Sequence, residues 1–398
     1  MNILYIAYWG IGDGLTASTV FPHLAILADY KQINQIIFCT IERGGHPVEY
    51  SGPILNKIKF TPLYSKNIRP SVMNKVLDFV LFPQQLINIC HTFNVAKIIS
   101  RGAPAGALAY KVHTKTSIPY YVESYEPHAD YMLESGVWTR WNPKYIFEKR
   151  WEEKIKKTAK LIVTVSTNYR IQLLNEGVDE NRLAVVPCCV KQQDFRLNED
   201  NRVTTRTKLN IAPNDIAGIY LGKFGGIYYD DEAYAIFKAT FESFKKKFFL
   251  LILTPDNKTE IITKLKQHDI PLERVYVEKV PHSEVPVFLS AADFAFAFYR
   301  PNHSAKYLSP VKFGEYWANG LPILTPAGIG DDSDIIINEK KGGVVFSLSN
   351  IKNDLIKLSV ILESKSRQHN YQEIKGLAEK YRSFSILLRV YNQIIQNS

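Results

Sequence analysis

Residues 309–324 read SPVKFGEYWANGLPIL and decide the fold of the C-terminal half, because every local signal in them agrees. Ser309 is a favoured N-cap residue, and Pro310 loses no hydrogen bond at the first helical position. Gly320 is the residue type that ends a helix in the left-handed conformation, and a proline two residues later prevents continuation. The stretch therefore predicts a ten-residue helix followed by a short buried strand over Leu321–Thr325.

The N-terminus of this helix opens onto a loop, where unpaired amide groups and the helix dipole form an anion site. Lys312 adds a full positive charge in the first turn, although the dipole alone disfavours a cation there. Glu315 lies three residues on and shares its face. A lysine beside bare amides suits a diphosphate, and a carboxylate one turn deeper suits the hydroxyls of a ribose. An ordinary capped surface helix with a Lys/Glu pair explains the same residues equally well.

A chain of 398 residues is long enough for two domains of ordinary size. Its 46% hydrophobic and 22% charged residues are typical of soluble globular proteins. The formal net charge of +10 predicts an anionic partner: nucleic acid, a membrane surface or a phosphorylated substrate. No RRM, KH, zinc-finger or helix-turn-helix signature occurs, so no nucleic-acid partner is expected.

The cysteines lack the CxxC or Cys/His spacing of a metal site. Cys39 and Cys90 lie in apolar segments and are expected to be core thiols, while Cys188 and Cys189 form an adjacent pair in a loop. The first ten residues lack the regions of a signal peptide, and no apolar run is long enough to span a bilayer. These features predict a cytoplasmic protein whose membrane contact is peripheral.

The chain begins with a strand–loop–helix–strand pattern. An apolar run over Asn2–Tyr8 leads into a loop with Gly10, Gly12 and Gly14, and a helix and a second strand follow. The loop could bind a dinucleotide, with Glu42 on the ribose. Its glycines run GxGxG and not GxGxxG, so a loop that leaves room for a neighbouring ligand or domain is the alternative that we favour.

A polar cluster follows the strand predicted over Pro119–Ser124. Tyr125, Glu126 and His128 come just after the carboxyl end of this strand, where open sheets place reactive groups. A plain polar loop, in which His128 is satisfied by a neighbour, explains the same residues.

Two other segments have both a structural and a membrane interpretation. The apolar stripe over Ser71–Phe93 fits a core helix or an interfacial helix pair that rests on lipid, and we favour the core. The basic amphipathic helix over Tyr145–Lys160 fits a solvated face or a face toward lipid headgroups.

The second half repeats the strand–helix alternation after a polar segment, residues 188–213, that is predicted to be a linker. Its first strand, Ile216–Leu221, is followed by Gly222 and Lys223. Lys223 is a second cation at a strand's carboxyl end, the place where open sheets bind ligands. Together with Lys312 and the helix N-terminus it favours a phosphorylated ligand.

Several of these segments resemble motifs of glycosyltransferase family 4. The resemblance covers most of the chain and is most specific in the C-terminal half. It is carried by Leu161-Ile162-Val163-Thr164-Val165-Ser166, Val185-Val186-Pro187 with Phe195, Leu221-Gly222-Lys223, residues 285–298 with Ala291-Ala292-Asp293, the stretch at 309–324, and Gly328-Ile329-Gly330-Asp331 in the loop that usually faces the donor sugar.

The resemblance implies an α/β protein of the GT-B fold, with two facing Rossmann-like domains, an interdomain cleft and a C-terminal helix that returns to the first domain. The expected boundaries are an acceptor-binding domain over 1–187, a linker over 188–213, a nucleotide-sugar domain over 214–380 and the returning helix over 381–398. Retaining, metal-independent transfer from a nucleotide diphosphate sugar is the implied activity, with no cofactor and no metal ligand.

By the same resemblance, Glu315 binds the donor ribose and the backbone near Val280 holds the base. The diphosphate would meet Lys312 and Lys223, with Lys223 helping to stabilise the leaving group. The remaining implied donor-binding residues are Gly222, Ser309, Pro310 and Val311.

Other assignments rest on positions where the sequence departs from the family pattern. The carboxylate expected eight positions before Glu315 is replaced by Tyr307. The family histidine is matched only by His128, a few residues late, and we take Glu126 and His128 as catalytic candidates beside Lys223 and Lys312. Residues placed in the acceptor or donor-sugar loop are Gly12, Asp13, Gly14 and Tyr307.

The expected reaction moves a hexose from a UDP-sugar to a saccharide or lipid-linked saccharide in bacterial cell-surface polysaccharide synthesis, at the inner face of the cytoplasmic membrane. No nucleophile stands out, so a same-face attack is favoured. Two alternatives remain: a non-catalytic partner subunit with the same fold, and an NAD-dependent Rossmann enzyme that uses the N-terminal glycine loop.

Overall fold

The computed structural model describes the backbone of residues 1–66 and 71–396, and the side chains of these residues other than 71–76 and 124. The chain forms two compact α/β units. Unit 1 comprises Met1–Asp130, Thr139–Pro187 and Ser385–Ser398, and unit 2 comprises Tyr131–Trp138 and Cys188–Phe384.

Unit 1 is built on a parallel sheet of seven strands in the order β4-β2-β1-β6-β7-β8-β9, and β3 pairs with β5 beside it. The strands are β1 (Asn2–Ala7), β2 (Gln35–Cys39), β3 (Ile41–Glu42), β4 (Ile58–Phe60), β5 (Leu63–Tyr64), β6 (Val95–Arg101), β7 (Tyr120–Tyr125), β8 (Leu161–Thr164) and β9 (Leu183–Val185). The helices are α1 (Phe21–Ala28), α2 (Ser71–Thr92), α3 (Ala103–Thr116), α4 (His128–Glu134), α5 (Pro143–Thr158) and α6 (Thr167–Asn175).

Unit 2 is built on a parallel sheet of six strands in the order β12-β11-β10-β13-β14-β15. The strands are β10 (Ile216–Leu221), β11 (Phe248–Leu253), β12 (Val275–Glu278), β13 (Phe294–Phe296), β14 (Ile323–Pro326) and β15 (Gly343–Phe346). The helices are α7 (Gln192–Phe195), α8 (Glu199–Lys208), α9 (Asp231–Phe244), α10 (Lys258–Gln267), α11 (Val285–Ala291), α12 (Val311–Ala318), α13 (Asp332–Glu339), α14 (Ile351–Ser364) and α15 (Arg367–Tyr381), and α16 (Phe384–Gln396) ends the chain.

Both sheets are doubly wound, and this topology fixes where a ligand can bind. The strand order reverses beside β1 in unit 1 and beside β10 in unit 2, because each pairs with two parallel strands whose connections run in opposite directions. The central strands are apolar and almost fully buried, as expected of parallel strands covered on both faces. Ligands of such sheets bind outside the carboxyl ends of the strands at the reversal point.

The structure differs from the predicted linker over residues 188–213. This segment contains α7 and α8 and belongs to unit 2. Two arginines of α8 hold it in place: Arg202 and Arg206 contact the carboxylate of Asp293 at 2.6 and 3.2 Å. Ion pairs made by these two helix residues replace the apolar stripe that sequence periodicity detects, and this explains why the hydrophobic pattern of residues 188–213 looked irregular.

The C-terminal helix α16 packs on unit 1. Its predicted apolar stripe is buried, and two polar contacts reinforce the packing. Tyr391 donates a hydrogen bond to Glu123 at 2.8 Å, and the ammonium of Lys97 donates to the carbonyl of Ile394 at 2.7 Å.

The stretch at 309–324 folds nearly as predicted. Gly320 has a φ of +71°, and the amide of Leu321 bonds to the carbonyl of Tyr316, so the helix ends in the left-handed cap. One detail of the prediction is wrong: α12 has eight residues, and the residue that precedes it is Pro310 and not Ser309. The Ser309 hydroxyl cannot cap the helix because it accepts hydrogen bonds from buried neighbours described below.

Helix α2 is a single helix with Pro83 in its interior, and its described apolar side chains lie mainly in the core. Phe79, Phe82 and Leu86 are buried, whereas Val80 is 63% exposed. Residues 71–76 of the predicted stripe lie outside the described side chains. Within the described ranges, no helix is both long enough and apolar enough to span a membrane.

The core thiols are confirmed for Cys39 and Cys90, which are both buried and reduced.

Candidate active site

The carboxyl end of β10 and the first turn of α12 meet in unit 2. The ammonium of Lys312 donates a hydrogen bond to the carbonyl of Leu221, the last residue of β10, at 2.7 Å. Gly222 follows with a φ of +130°, and a Cβ added there would lie 2.9 Å from the Lys312 nitrogen. Glycine is therefore required at 222 by both its backbone conformation and the lysine. The strand end and the helix N-terminus form one site, as the sequence predicts.

The Lys312 ammonium lies among three tyrosine rings. Its nitrogen is 5.5, 4.8 and 4.9 Å from the ring centres of Tyr220, Tyr228 and Tyr299. Cation–π attraction partly compensates for the lost water. Burial nevertheless lowers the pKa of Lys312 to about 7, against the opposing effect of the Glu315 charge. A bound anion would restore full protonation of this lysine.

Glu315 lies buried on α12 and is paired with a histidine that the sequence analysis missed. His282 lies just beyond β12 and contacts the Oε1 atom of Glu315 through Nε2 at 2.7 Å. This hydrogen bond raises the pKa of His282 despite partial burial. The other carboxylate oxygen, Oε2, receives no hydrogen bond from any residue in the described ranges. The signal for His282 was its place directly after Val280 and Pro281, at a strand end.

Val280 lies at the carboxyl end of β12 and packs its side chain against the core of unit 2, so its backbone is held at the sheet edge.

Lys223 is exposed just beyond β10. The hydroxyl of Tyr220 donates to the Lys223 carbonyl, and the next amide, that of Phe224, donates to Asp256 at 2.8 Å. These contacts fix the backbone and leave the side chain outside the core. Within the part of the chain that the structure describes, no carboxylate pairs with the Lys223 ammonium.

Ser309 is positioned by Arg382. The Ser309 oxygen accepts hydrogen bonds from Arg382 at 2.5 Å and from the amide of Cys188 at 3.0 Å. Arg382 is itself buried and paired with Asp332. Next to this fixed serine, Pro310 leads into Val311 and Lys312, whose first-turn amides have no intrahelical acceptor.

Tyr307, which replaces the carboxylate that the resemblance described above implies, is buried. Its hydroxyl lies 3.4 Å from the Nε2 atom of His303, and the Lys306 ammonium lies 5.0 Å from its ring centre. The loop at 328–331 adjoins this turn, because the amide of Gly330 donates to the carbonyl of Ala305 at 2.9 Å. A phenol can donate one hydrogen bond to a sugar hydroxyl but supplies no charge.

In unit 1, the glycine loop is held by Glu42. This buried carboxylate accepts a hydrogen bond from the amide of Ile11 at 2.8 Å, and a Cβ at Gly10 would lie 2.7 Å from its Oε2 atom. Glu42 therefore stabilises the loop itself, which leaves it poorly placed to bind a ribose as the dinucleotide interpretation requires.

The tip of the same loop has unused space. Added Cβ atoms at Gly12 and Gly14 would meet no heavy atom within 4 Å, and Asp13 accepts a hydrogen bond from the amide of Leu15 at 2.8 Å. Neither packing nor a left-handed backbone explains glycine at 12 and 14. Close approach of a ligand would explain both.

His128, at the start of α4, is oriented by a carboxylate from α5. Its Nδ1 atom lies 2.7 Å from Glu148. Burial acts to lower the pKa of His128, but the hydrogen bond and charge of Glu148 raise it overall. Glu126 is half-buried, and burial raises the pKa of its carboxyl. The sequence missed Glu148, because it lies twenty residues further along in a helix that appeared only basic.

Two further carboxylates of this region are structural. Glu152 lies buried beneath α4, accepts a hydrogen bond from the amide of Ala129 at 3.2 Å, and has its pKa raised to about 7 by burial. Glu123 is buried too, but the charge and hydrogen bond of His23, with the charge of Arg101, outweigh that burial and lower its pKa to about 2.

No group of three or more His, Cys, Asp or Glu side chains in residues 1–66 and 71–396 is arranged to hold a metal. Independence from a metal stays a prediction.

Solved structures of other proteins share the whole architecture. Sucrose-phosphate synthase from Thermosynechococcus elongatus matches with a TM-score of 0.75 at 13% sequence identity, and 100% of each chain is covered. The Anabaena protein HepE in complex with UDP matches with a TM-score of 0.72 at 10% identity, again over 100% of both chains. WaaG, a glycosyltransferase involved in lipopolysaccharide biosynthesis, matches with a TM-score of 0.70 at 14% identity and the same coverage.

These likenesses confirm the predicted GT-B fold class with its helical C-terminus. No protein-family model matches the sequence. A search of curated proteins gave no match either.

Proposed function

We propose that this protein is a retaining, metal-independent glycosyltransferase of family 4. It transfers a hexose from a UDP-sugar to a saccharide or lipid-linked saccharide at the cytoplasmic face of a bacterial membrane, in the synthesis of a cell-surface polysaccharide. Structures with the same fold include one in complex with UDP-glucose and one of a lipopolysaccharide outer core galactosyltransferase.

One observation carries the proposal: the Lys312 ammonium joins the end of β10 to the N-terminus of α12. This arrangement puts a cation, bare helix amides and a glycine turn at the sheet's reversal point. Each of the three recognises phosphate, and together they fit a diphosphate better than a single charge would.

The donor contacts follow from this arrangement. The diphosphate lies against the amides after Pro310 and against Lys312, and the exposed cation of Lys223 reaches it from the turn after β10. Glu315 offers Oε2 to a ribose hydroxyl, while His282 holds Oε1 and so fixes the orientation of the carboxylate. The backbone at Val280 meets the base.

In the reaction, an acceptor oxygen forms a bond to the anomeric carbon on the face from which the diphosphate leaves. The bond between the anomeric carbon and the diphosphate oxygen breaks, and the acceptor's proton passes to that oxygen. Cations and a helix N-terminus stabilise the charge that develops on the departing phosphate. In other enzymes a divalent metal ion stabilises this charge. No second nucleotide or redox partner is needed for this balance.

His128 suits a donor better than a base. The hydrogen bond and charge of Glu148 raise the pKa of His128 and so favour its protonated form, which can donate a hydrogen bond to a sugar hydroxyl or to developing negative charge. Glu126, whose pKa is also raised, can orient an acceptor hydroxyl. This assignment agrees with a reaction in which the leaving phosphate takes the proton.

Tyr307 favours a second candidate function, a non-catalytic subunit with the same fold. The missing carboxylate removes a charged contact to the donor sugar, whereas the sequence retains Lys223, Lys312 and Glu315, which we propose for the nucleotide. The two functions therefore differ in transfer and agree in nucleotide binding.

A nucleotide-binding and transfer assay separates these possibilities. We expect UDP to raise the melting temperature and NAD to leave it unchanged, and we expect purified protein to release UDP from a UDP-hexose. UDP binding without turnover on any saccharide acceptor would favour the non-catalytic subunit. Stabilisation by NAD alone would overturn the proposal, and a trapped covalent glycosyl-enzyme would overturn the same-face reaction.

A further inference from the structure

A mostly apolar cavity of about 160 Å³ lies within unit 1, between α2, α3 and α5. Four aromatic side chains line it: Tyr8, Phe79, Phe147 and Trp151. The ring centres of Phe79 and Phe147 are 4.6 Å apart, and the ring of Trp151 stacks against Phe79 at 6.3 Å. Ala103 and Ala107 of α3 also line the cavity, and their side chains are only methyl groups. These small residues leave space beside the aromatic rings.

The volume is large enough for a ligand group. An apolar cavity of roughly 150 Å³ admits a benzene-sized molecule, and apolar cavities of this kind otherwise stay dry. The cavity can therefore hold the end of an alkyl or isoprenoid chain. A free saccharide fits it poorly, because the walls offer few hydrogen-bonding groups.

Two lysines without carboxylate partners flank the aromatic wall. The ammonium groups of Lys154 and Lys111 lie 4.4 and 5.8 Å from the ring centre of Trp151. Burial, and then the charge of Lys154, lowers the pKa of Lys111. The Lys111 ammonium donates a hydrogen bond to the carbonyl of Phe79 at 2.6 Å, but neither lysine pairs with an acid anywhere in the described portion of the chain. Two neighbouring cations with no counter-charge repel each other, so an anion bound there would relieve the repulsion.

Charged side chains also line the cavity. Lys144 and Glu148 line the cavity, and Glu148 is the carboxylate that orients His128. Beside Lys144, Trp141 is 87% exposed and Ile146 is 53% exposed. Exposed Trp and aliphatic side chains among lysines are typical of surfaces that meet amphiphiles.

We propose that this cavity binds the apolar chain of an amphiphilic phosphate, with the phosphate held by Lys111 and Lys154. The binding site stands without the proposed function. Its further role, as the site for the lipid part of a lipid-linked acceptor, rests on that function and names the acceptor class. The occupant is a single amphiphilic molecule, and adsorption to a membrane surface is a distinct outcome of the test.

The test is calorimetric titration of the full chain, without any sugar donor, with monomeric decyl phosphate below its critical micelle concentration. Decanol and inorganic phosphate serve as the apolar-only and anion-only probes. We expect decyl phosphate to bind at least tenfold more tightly than either. Equal affinity for decyl phosphate and decanol, or binding only to anionic vesicles, would overturn the proposal.

Variants locate the site. The pair Lys111→Gln and Lys154→Gln should weaken decyl phosphate binding about tenfold, whereas Lys157→Gln, an exposed lysine on the same helix, should not change it. Ala107→Phe should abolish binding by filling the cavity. Phe147→Ala offers a second route if Ala107→Phe does not fold, and it should weaken binding by removing a wall.

Equal effects of Lys157→Gln and Lys154→Gln would overturn the assignment of the phosphate. UDP binding by every variant shows that unit 2 is intact. If the wild-type chain binds UDP but does not bind decyl phosphate, the cavity site is rejected and the proposed function still stands. Amphiphile binding without any binding of UDP would reject the function and leave the cavity standing.

Discussion

Each unit holds an ionisable side chain near the carboxyl end of a strand, and the two sites do so differently. The strands are β10 in unit 2 and β7 in unit 1. At β10, Lys312 has no acid in direct contact, and burial lowers its pKa. At β7, His128 is paired with Glu148, and the pair raises its pKa. A bound anion would favour the protonated form of Lys312 at the first site, whereas Glu148 already favours the protonated form of His128 at the second.

The contrast reflects how each site is built. Backbone groups and a capped helix hold the β10 site, and its side chains come from short, recognisable motifs. The β7 site depends on α5, which folds back on α4 and supplies Glu148. A backbone-built anion site is visible in sequence, whereas a site made by converging side chains is visible only after folding.

We expect the largest effect from Lys312→Met, which tests whether the β10 site binds the donor. It removes the positive charge that contacts the carbonyl of Leu221 at the end of β10, so we expect the rate of transfer from a UDP-sugar to fall about 10²- to 10³-fold, as for loss of other preorganised charge-stabilising groups. Lys352→Met, at an exposed position in the same unit, should keep the wild-type rate. A Lys312→Met variant with more than half of the normal rate would show that the β10 site is not the donor site.

The fold was largely predictable because it follows from alternating strands and helices and from helix-ending residues. Gly320 and the buried parallel strands behave as the local rules require. The helices in residues 188–213 were not predictable, because Arg202 and Arg206 stabilise α8 through Asp293, a partner about ninety residues away. Sequence separation of this size is outside the reach of periodicity.

The candidate site divides in the same way. Gly222, Lys312 and Glu315 come together as predicted, while His282 and Glu148 were missed. Both missed residues act through a partner in another element, and neither lies in a motif. Ser309 shows a different limit of prediction from sequence. Serine is a favoured N-cap residue, but the Ser309 hydroxyl accepts a hydrogen bond from Arg382 and does not cap the helix. A buried guanidinium left without acceptors would cost more free energy than an uncapped helix.

Glu315→Ala tests the ribose contact. Loss of a hydrogen bond to a charged group costs about 1.5–3 kcal/mol, so UDP affinity should fall roughly tenfold to a hundredfold. The wild type should prefer UDP over 2′,3′-dideoxy-UDP by a similar factor, and the variant should bind both alike.

His282→Ala is the matched control for the ribose contact, since it removes the neighbour and leaves the carboxylate. It should retain the preference for UDP. If Glu315→Ala kept that preference in titration calorimetry, Glu315 would not contact the ribose.

His128→Asn and Glu148→Gln probe the pair at β7. Each should lower kcat about tenfold with an unchanged Kd for UDP, because general acid–base and orienting groups act on the reaction and not on the nucleotide. The double variant should be no slower than His128→Asn alone, since Glu148 acts through His128.

The sign of the pKa change gives the pair a second measurement. Glu148→Gln removes the negative charge that raises the pKa of His128, so the NMR titration of His128 should move to lower pH. Additive losses in kcat, or a His128 titration that does not move, would mean that Glu148 has a separate role.

The smallest expected effect is the pH dependence of UDP binding, and it follows from the pKa of Lys312 near 7. Above that pH the free lysine is mostly neutral, whereas the bound diphosphate favours the protonated form, so binding takes up a proton. Affinity for UDP should therefore fall as pH rises, by up to tenfold between pH 7.5 and 8.5, a range in which the phosphates are already ionised. Titration calorimetry in two buffers of different ionisation enthalpy should report close to one proton taken up at pH 8.5. Lys312→Met should show neither the uptake nor the slope, while Lys352→Met should show both; a wild-type affinity that is flat over this range would place Lys312 away from the diphosphate.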